Sequence, residues 1–374
     1  MTDNVPIFEP KLITVLKEGY GTTELRKDAI AGATVAVVAL PLSMAIAIAC
    51  GLPPETGLVT AITGGFIVSA AGGSRYQVGG PAGAFIVPVA ATLVVHGLSG
   101  LILATFLSGI ILVIAGALRL GRFVRLIPVS VVLGFSAGIA VIIALSQVYD
   151  LLGLQLVGKQ PSEIIPKVMA LIAARQTPDP QTIIVGGLTI ATIAILRRFN
   201  PALPGMLIAV VGATVLVMIT HLDVETLGDR FGALSSQFPM PAVPDVSVSK
   251  IALILPAAFS FALLGAIESL LSATVADKMT TRQHRPEAEL VAQGLANMGA
   301  ALFGGFCVTG TIARTATNIR ASAHGPIAGI LHAVFLLIAF LIFMPIAALV
   351  PFAALAGVLI VVSYNMLERH EILQ

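Results

Sequence analysis

Apolar residues run along this chain in blocks, separated by short polar or Gly/Pro-rich joints. Ten blocks have the length of full or nearly full membrane helices: 29–49, 56–72, 100–118, 126–147, 182–196, 203–220, 251–276, 288–304, 325–349 and 352–367. Two more, 81–96 and 312–323, are short, and each is entered through Gly-rich or small-residue sequence. The stretch from Pro161 to Ala174 alternates charged and apolar residues and predicts an amphipathic helix lying at the membrane surface.

The short blocks carry the most information. If Pro81 begins a helix that ends near His96, 16 residues at about 1.5 Å each give roughly 24 Å, less than the roughly 30 Å hydrocarbon core. The preceding Val78, Gly79 and Gly80 must then cover the remaining depth as extended backbone, which is tolerated only inside protein or beside a watery cavity. The second short block follows Gly304-Gly305-Phe306-Cys307-Val308-Thr309-Gly310 and becomes helical from about Ile312. Counted through the spans, the two run in opposite directions, so their helix N-termini meet near the membrane centre and aim two positive ends at a shared space. Such a space suits an anion. The alternative is that Gly79, Gly80 and Pro81 only kink a packed helix.

Composition agrees with a membrane protein, at 57% hydrophobic and 11% charged residues, against roughly a quarter charged in soluble domains. A net charge of +2 without a basic tail gives no reason to expect nucleic acid. With the N-terminus in the cytoplasm, inside loops hold 15 of the 21 Lys and Arg, and outside loops hold Lys159, Lys167, Arg175, Arg230 and Lys250. The remaining one, Arg314, lies within a short span. Residues 1–28 lack a signal-peptide core, and Cys50 and Cys307 lack metal-ligand spacing, so both read as buried thiols.

Charges inside the apolar blocks sharpen the picture. Glu268 lies well inside a long apolar helix, with Ser272 one turn on and facing the same way. That pair could hold a proton, a sodium ion or a fixed partner. Arg314 sits in the first turn of the second broken helix, where a guanidinium adds charge and a planar fork of donors to an oxyanion site. The competing reading is a Glu268–Arg314 salt bridge between helices. Gln293 and Asn297, at i and i+4, suit interhelical hydrogen bonds. His324 and His332 read as structural, and the run Asp277, Lys278, Arg282, His284 and Arg285 as a solvated inside loop. Pro41 breaks the first helix near Ser43, a third irregular backbone site. No phosphate-binding loop, His-Glu-x-x-His or nucleophile elbow occurs, so nothing suggests an enzyme or cofactor.

The segments Ala39-Leu40-Pro41-Leu42-Ser43-Met44-Ala45, Gly79-Gly80-Pro81-Ala82, Ala266-Ile267-Glu268-Ser269-Leu270-Leu271 and Thr311-Ile312-Ala313-Arg314-Thr315-Ala316-Thr317-Asn318 resemble the SulP family, related to solute carrier family 26. Within it, Leu255-Pro256-Ala257-Ala258-Phe259-Ser260 and Glu289-Leu290-Val291-Ala292-Gln293-Gly294-Leu295 look most like a bacterial branch that includes dicarboxylic acid transporters. The resemblance implies an all-α polytopic fold, a seven-plus-seven inverted repeat with core and gate domains, and elevator-like alternating access. It also implies a homodimer in the bacterial inner membrane with its N-terminus in the cytoplasm. The repeats would occupy 29–220 and 251–374, joined by an extracytoplasmic loop at 221–250. The implied substrate site is Gly80, Pro81, Ala82 and Gly83 with Ala313, Arg314 and Thr315, bordered by Leu42 and Ile46. Glu268 and Ser272 match coupling-ion positions, for H+ or Na+. Family members carry fourteen segments and a STAS domain, whereas this chain reaches Gln374 after the twelfth, so it reads as a truncation or a short form. The expected function is secondary transport of sulfate, bicarbonate or a C4-dicarboxylate such as succinate or fumarate. An uncoupled anion channel and a non-transporting fragment are the alternatives.

Overall fold

The apolar blocks fold as helices at all twelve predicted positions. The computed structural model describes residues 7–124, 129–154, 164–174, 177–200 and 203–367. In chain order the elements are α1 (Lys11–Glu18), α2 (Thr22–Ala49), α3 (Pro54–Ala71), β1 (Gly79–Gly80), a 3-10 turn (Gly83–Phe85), α4 (Ile86–Ala117), α5 (Gly121–Val124), α6 (Val129–Leu152), α7 (Ile164–Ala173), α8 (Pro180–Phe199), α9 (Gly205–Thr220), α10 (Leu227–Phe231), α11 (Val248–Met279), α12 (Pro286–Leu302), β2 (Thr309–Gly310), α13 (Ile312–Arg320), α14 (Ile327–Ala347) and α15 (Phe352–Leu367). Among the described residues, five helices are long and apolar enough to cross a membrane by length and composition.

Several predicted boundaries move. Pro81 does not begin the first short helix: Ala82 is extended (φ −125°, ψ 147°), and helical turns start at Gly83. Two predicted segments fuse into α4, yet Gly97 (φ 68°, ψ −176°) breaks that element just after His96, where the short span was expected to end. The second short helix begins at Ile312 as expected and stops at Arg320, three residues early. Pro41 does not break α2, which continues from Thr22 to Ala49 around it. Ser43 Oγ donates to Ala39 O at 2.7 Å within the same helix. The start of the predicted surface helix lies outside the described residues. Its remainder, α7, exposes Ile165, Met169 and Ile172 and tucks Lys167 against Ser146 Oγ at 2.8 Å.

Two sets of helices emerge from the packing. In one, α4 crosses α11 and α12, and α14 crosses α2 and α3; in the other, α15 packs on α6, α8 and α9. The sets meet where α2 reaches α9 and α15. Small residues permit the closest crossings. A Cβ on Gly109 would lie 2.5 Å from Gly294 O, and one on Gly294 would lie 2.5 Å from Gly109 O, so α4 and α12 approach backbone to backbone.

The polar end that carries α1 is knotted, not merely solvated. Arg75 is buried, and it donates from Nη1 to Glu18 at 2.5 Å and from Nε to His324 O at 2.9 Å. Arg285 donates to Glu9 O at 2.6 Å and Thr14 Oγ1 at 2.9 Å, and His284 N donates to Asp277 Oδ1 at 3.0 Å. Asp28 accepts from Gly325 N at 3.0 Å and Tyr20 OH at 2.9 Å. The N-terminal segment thus ties three loops of the first helix set together. At the other end α10 is pinned to the α14–α15 joint, where Leu227 N donates to Val350 O and Phe352 N to Glu225 O.

Candidate functional site: two broken segments that cross

An extended backbone inside an apolar body must find partners for every N–H and C=O. The two broken segments supply some of these to each other. β1 and β2 pair antiparallel, with Gly79 opposite Gly310 and Gly80 opposite Thr309. Neighbouring side chains supply the rest. Val308 N donates to Asn297 Oδ1 at 2.7 Å, and Val308 O accepts from Gln293 Nε2. The i, i+4 pair on α12 therefore serves as a partner strand for one residue. Phe306 N donates to Thr60 Oγ1 at 3.0 Å. On the other segment, Tyr76 O accepts from Asn318 Nδ2 at 2.9 Å, Val78 N donates to Thr315 Oγ1 at 3.3 Å and Val78 O accepts from Thr311 N at 3.2 Å.

Arg314 closes the crossing from behind. It is 1% exposed, and its fork donates to Ser43 Oγ at 2.9 Å, Gly79 O at 3.2 Å and Pro81 O at 3.5 Å. These partners are a hydroxyl and two carbonyls, so the salt bridge to Glu268 does not form. Nη1 and Nη2 of the fork face α2 and the opposing broken segment, while buried Nε has no partner among the described residues. Gly80 makes room for it, since a Cβ there would fall 1.6 Å from Nη1. The charge remains fixed and largely out of water, where its field is screened little.

Both helix N-termini lack a side-chain cap, at Ala82 and at Thr311. Their first-turn amides are the groups that bind anions in other helices. Ala82 is buried and Gly83 half-buried, while Ala313 is exposed next to buried Arg314 and Thr315. Leu42 and Ile46 are buried one turn apart on α2, which packs on α13. The second helix set closes over the turn: a Cβ on Gly83 would meet Ile143 Cδ1 at 3.3 Å and Met366 Sδ at 3.5 Å. Ile143 and Met366 look like ordinary apolar helix residues in sequence, and nothing there marks them.

Glu268 and Ser272 lie beside the crossing, both buried on α11. Ser272 Oγ is 3.2 Å from Thr315 Oγ1, which in turn accepts from Val78 N. Ser272 is therefore linked to both broken segments through a single hydroxyl. A second chain runs from Gln77 Nε2 to Ser269 Oγ at 2.7 Å and on to Glu289 Oε1 at 3.4 Å, and Glu289 also accepts from Ser74 N at 2.9 Å. Gln77, Ser269 and Glu289 were not singled out from sequence, although a glutamate inside an apolar block was a signal that could have found the last. Cys50 and Cys307 are buried free thiols, as expected. His324 is partnered by Arg75, whereas both ring nitrogens of buried His332, expected to be hydrogen-bonded as in a satisfied structural histidine, lack a partner among the described residues.

The sequence profile of the sulfate permease family matches residues 25–374. YvdB of Bacillus subtilis (strain 168), provisionally named a sulfate transporter, is 40% identical over 356 residues, covering 95% of this chain and 67% of that protein. The bicarbonate transporter BicA of a Picosynechococcus species is 28% identical over 367 residues, covering 93% of this chain and 64% of that one. The solved transmembrane domain of a cyanobacterium bicarbonate transporter BicA superposes with a TM-score of 0.86 at 27% identity, covering 95% of this chain and 91% of that one. The structure of SLC26A9 superposes at 0.83 with 18% identity over 96% of this chain and 60% of that one, a likeness of fold. The chain thus spans about two thirds of the length of these curated relatives. They are named for sulfate and bicarbonate, so the expected place beside dicarboxylic acid transporters is not supported.

Proposed function

The chain belongs to the sulfate permease family, and on that premise we propose that it moves a small inorganic oxyanion, sulfate or bicarbonate, by secondary transport. The observation that carries this reading is the β1–β2 crossing, which brings two uncapped helix N-termini to one place with a buried guanidinium behind them. In a low-dielectric interior such preorganised donors favour a compact anion over bulk solvent.

The substrate would sit against Ala82, Gly83 and the amides that open α13, with Leu42, Ile46, Ile143 and Met366 as its apolar surround. Arg314 would act through its field and by holding the crossing in register. Glu268 is the proposed coupling group, with H+ or Na+ as the driving ion, and Ser272 would relay its state to Thr315. Movement of the crossing-bearing helix set against α6, α8, α9 and α15 would alternate access, in the elevator manner. A homodimer in a bacterial plasma membrane, with the N-terminus in the cytoplasm, completes the reading.

The test is uptake of labelled sulfate and bicarbonate into liposomes, with succinate as competitor, under imposed proton or sodium gradients. Accumulation against the anion gradient supports the carrier. Equilibration alone, whatever the gradient, overturns it.

A further inference from the structure

The two helix sets do not close on each other everywhere. Between α2 and α14 on one side and α9 on the other lies a cavity of about 520 Å³. Its lining is apolar from end to end, and its one hydroxyl, on Thr214, donates to Val210 O at 2.8 Å inside its own helix. No polar ligand would find a partner there.

Shape decides what could. The lining runs along α9 from Leu207 to Met218 and along α14 from Phe335 to Ala347, which at about 1.5 Å per residue is roughly 17 Å, close to the depth of one leaflet of a roughly 30 Å hydrocarbon core. That volume is the space open to the centres of water molecules, so dividing it by the length and allowing for a water radius of about 1.4 Å gives a mean cross-section of roughly 60 Å². A helix about 10–12 Å across needs roughly 80–110 Å², so neither a helix of a second copy nor one from a longer chain enters. An extended alkyl chain, with carbons about 4 Å from their neighbours, needs roughly 20 Å² and fits. The slot also opens sideways, because Val211, Val215, Met218, Phe343 and Ile346 line it and are exposed on the lipid-facing surface.

We propose that this slot binds one acyl chain of a membrane lipid, lodged between the helix set that carries the crossing and the set that covers it. The assignment rests on the cavity and on the membrane reading alone, and it stands whether or not the protein transports. If the two sets move as proposed above, the lodged chain couples lipid composition to that movement.

The chain contains no tryptophan, so one introduced Trp reports on one place. V215W puts it at the slot mouth, and I184W puts it on the exposed face of α8 as a control. Each variant of this chain is reconstituted into vesicles of phosphatidylcholine brominated on its acyl chains, then dissolved in rising excess of detergent. Quenching of I184W should vanish as surface lipid washes away, while V215W should keep most of its quenching. Adding A339F, which fills the slot from α14, should abolish the retained part. Recovery of V215W in step with I184W overturns the proposal. So does retained quenching that survives A339F, or a slot-filling variant that loses dimers instead of bound lipid. Because V215W against I184W already decides the matter, a failure of A339F to fold leaves the test intact.

Discussion

Gly80 and Arg314 occupy complementary space on opposite broken segments: the guanidinium of one sits where any side chain on the other would begin, with Nη1 1.6 Å from an ideal Cβ. The same nitrogen donates to Gly79 O at 3.2 Å. A glycine and an arginine 234 positions apart are thus one packing unit. Gly80→Ala should destabilise the fold by about 1–3 kcal/mol, the usual scale of overpacking. Thermal unfolding in detergent checks this, and Gly80→Ala combined with Arg314→Ala should lose less than the two single changes summed. Strict additivity would mean that the two residues do not share the space.

Arg314 carries a charge that water cannot screen. At an effective permittivity near 20, a unit charge about 8 Å from a bound anion contributes roughly 2 kcal/mol, or about thirtyfold in affinity. Arg314→Ala should therefore weaken sulfate binding by at least that factor and leave carbonyls of the crossing unpartnered. Arg314→Lys keeps the charge but not the fork, so it should retain more affinity than Arg314→Ala while losing stability. Titration calorimetry on purified protein separates the two, and equal affinity for Lys and Ala would remove the electrostatic role.

Asn297 and Gln293 together satisfy both backbone groups of Val308. Removing either amide strands a buried polar group, at a cost of about 1–3 kcal/mol. Asn297→Leu and Gln293→Leu should each lower the unfolding midpoint. An unchanged midpoint would show that the extended segment finds its partners elsewhere.

Glu268→Gln keeps the shape of the side chain and removes its titration. Under the proposed coupling, the variant should bind anion but take it up without regard to the proton or sodium gradient. Persistent gradient-driven accumulation would move the coupling group elsewhere.

The clasp at the α1 end should be felt at acid pH. The hydrogen bond from Arg75 holds the Glu18 carboxyl below its ordinary value of 4.5. A carboxylate depressed in the folded state contributes stability above its ordinary value, and loses it as pH falls through the lower folded one. Glu18 is 36% exposed, so solvent keeps the effect small. The stability difference between the native chain and Glu18→Gln should be positive at pH 7 and shrink toward pH 3, as read by parallel melts.

What the sequence alone determined was the set of local events. Block length and apolarity located the long apolar helices but not the short α1, α5 and α10, and the shortness of the block ending at His96 announced a broken span before any contact was known. The opposite sense of the two breaks followed from counting spans, and in the structure the two segments pair antiparallel at Gly79 and Gly310. Pro41 misled because a proline removes one N–H, and a helix packed on several sides absorbs that loss without breaking.

Only the tertiary structure decided what the polar side chains do, because direction is not written in spacing. Arg314 turned toward Ser43 and the carbonyls behind the crossing, where an unpartnered fork would have been costly. Ile143 and Met366 came to the site from helices whose sequence is uniformly apolar, and the lipid-sized slot exists because α9 and α14 fail to meet. Each depends on which faces pack, and that is settled by distant surfaces fitting together, not by any local run of residues.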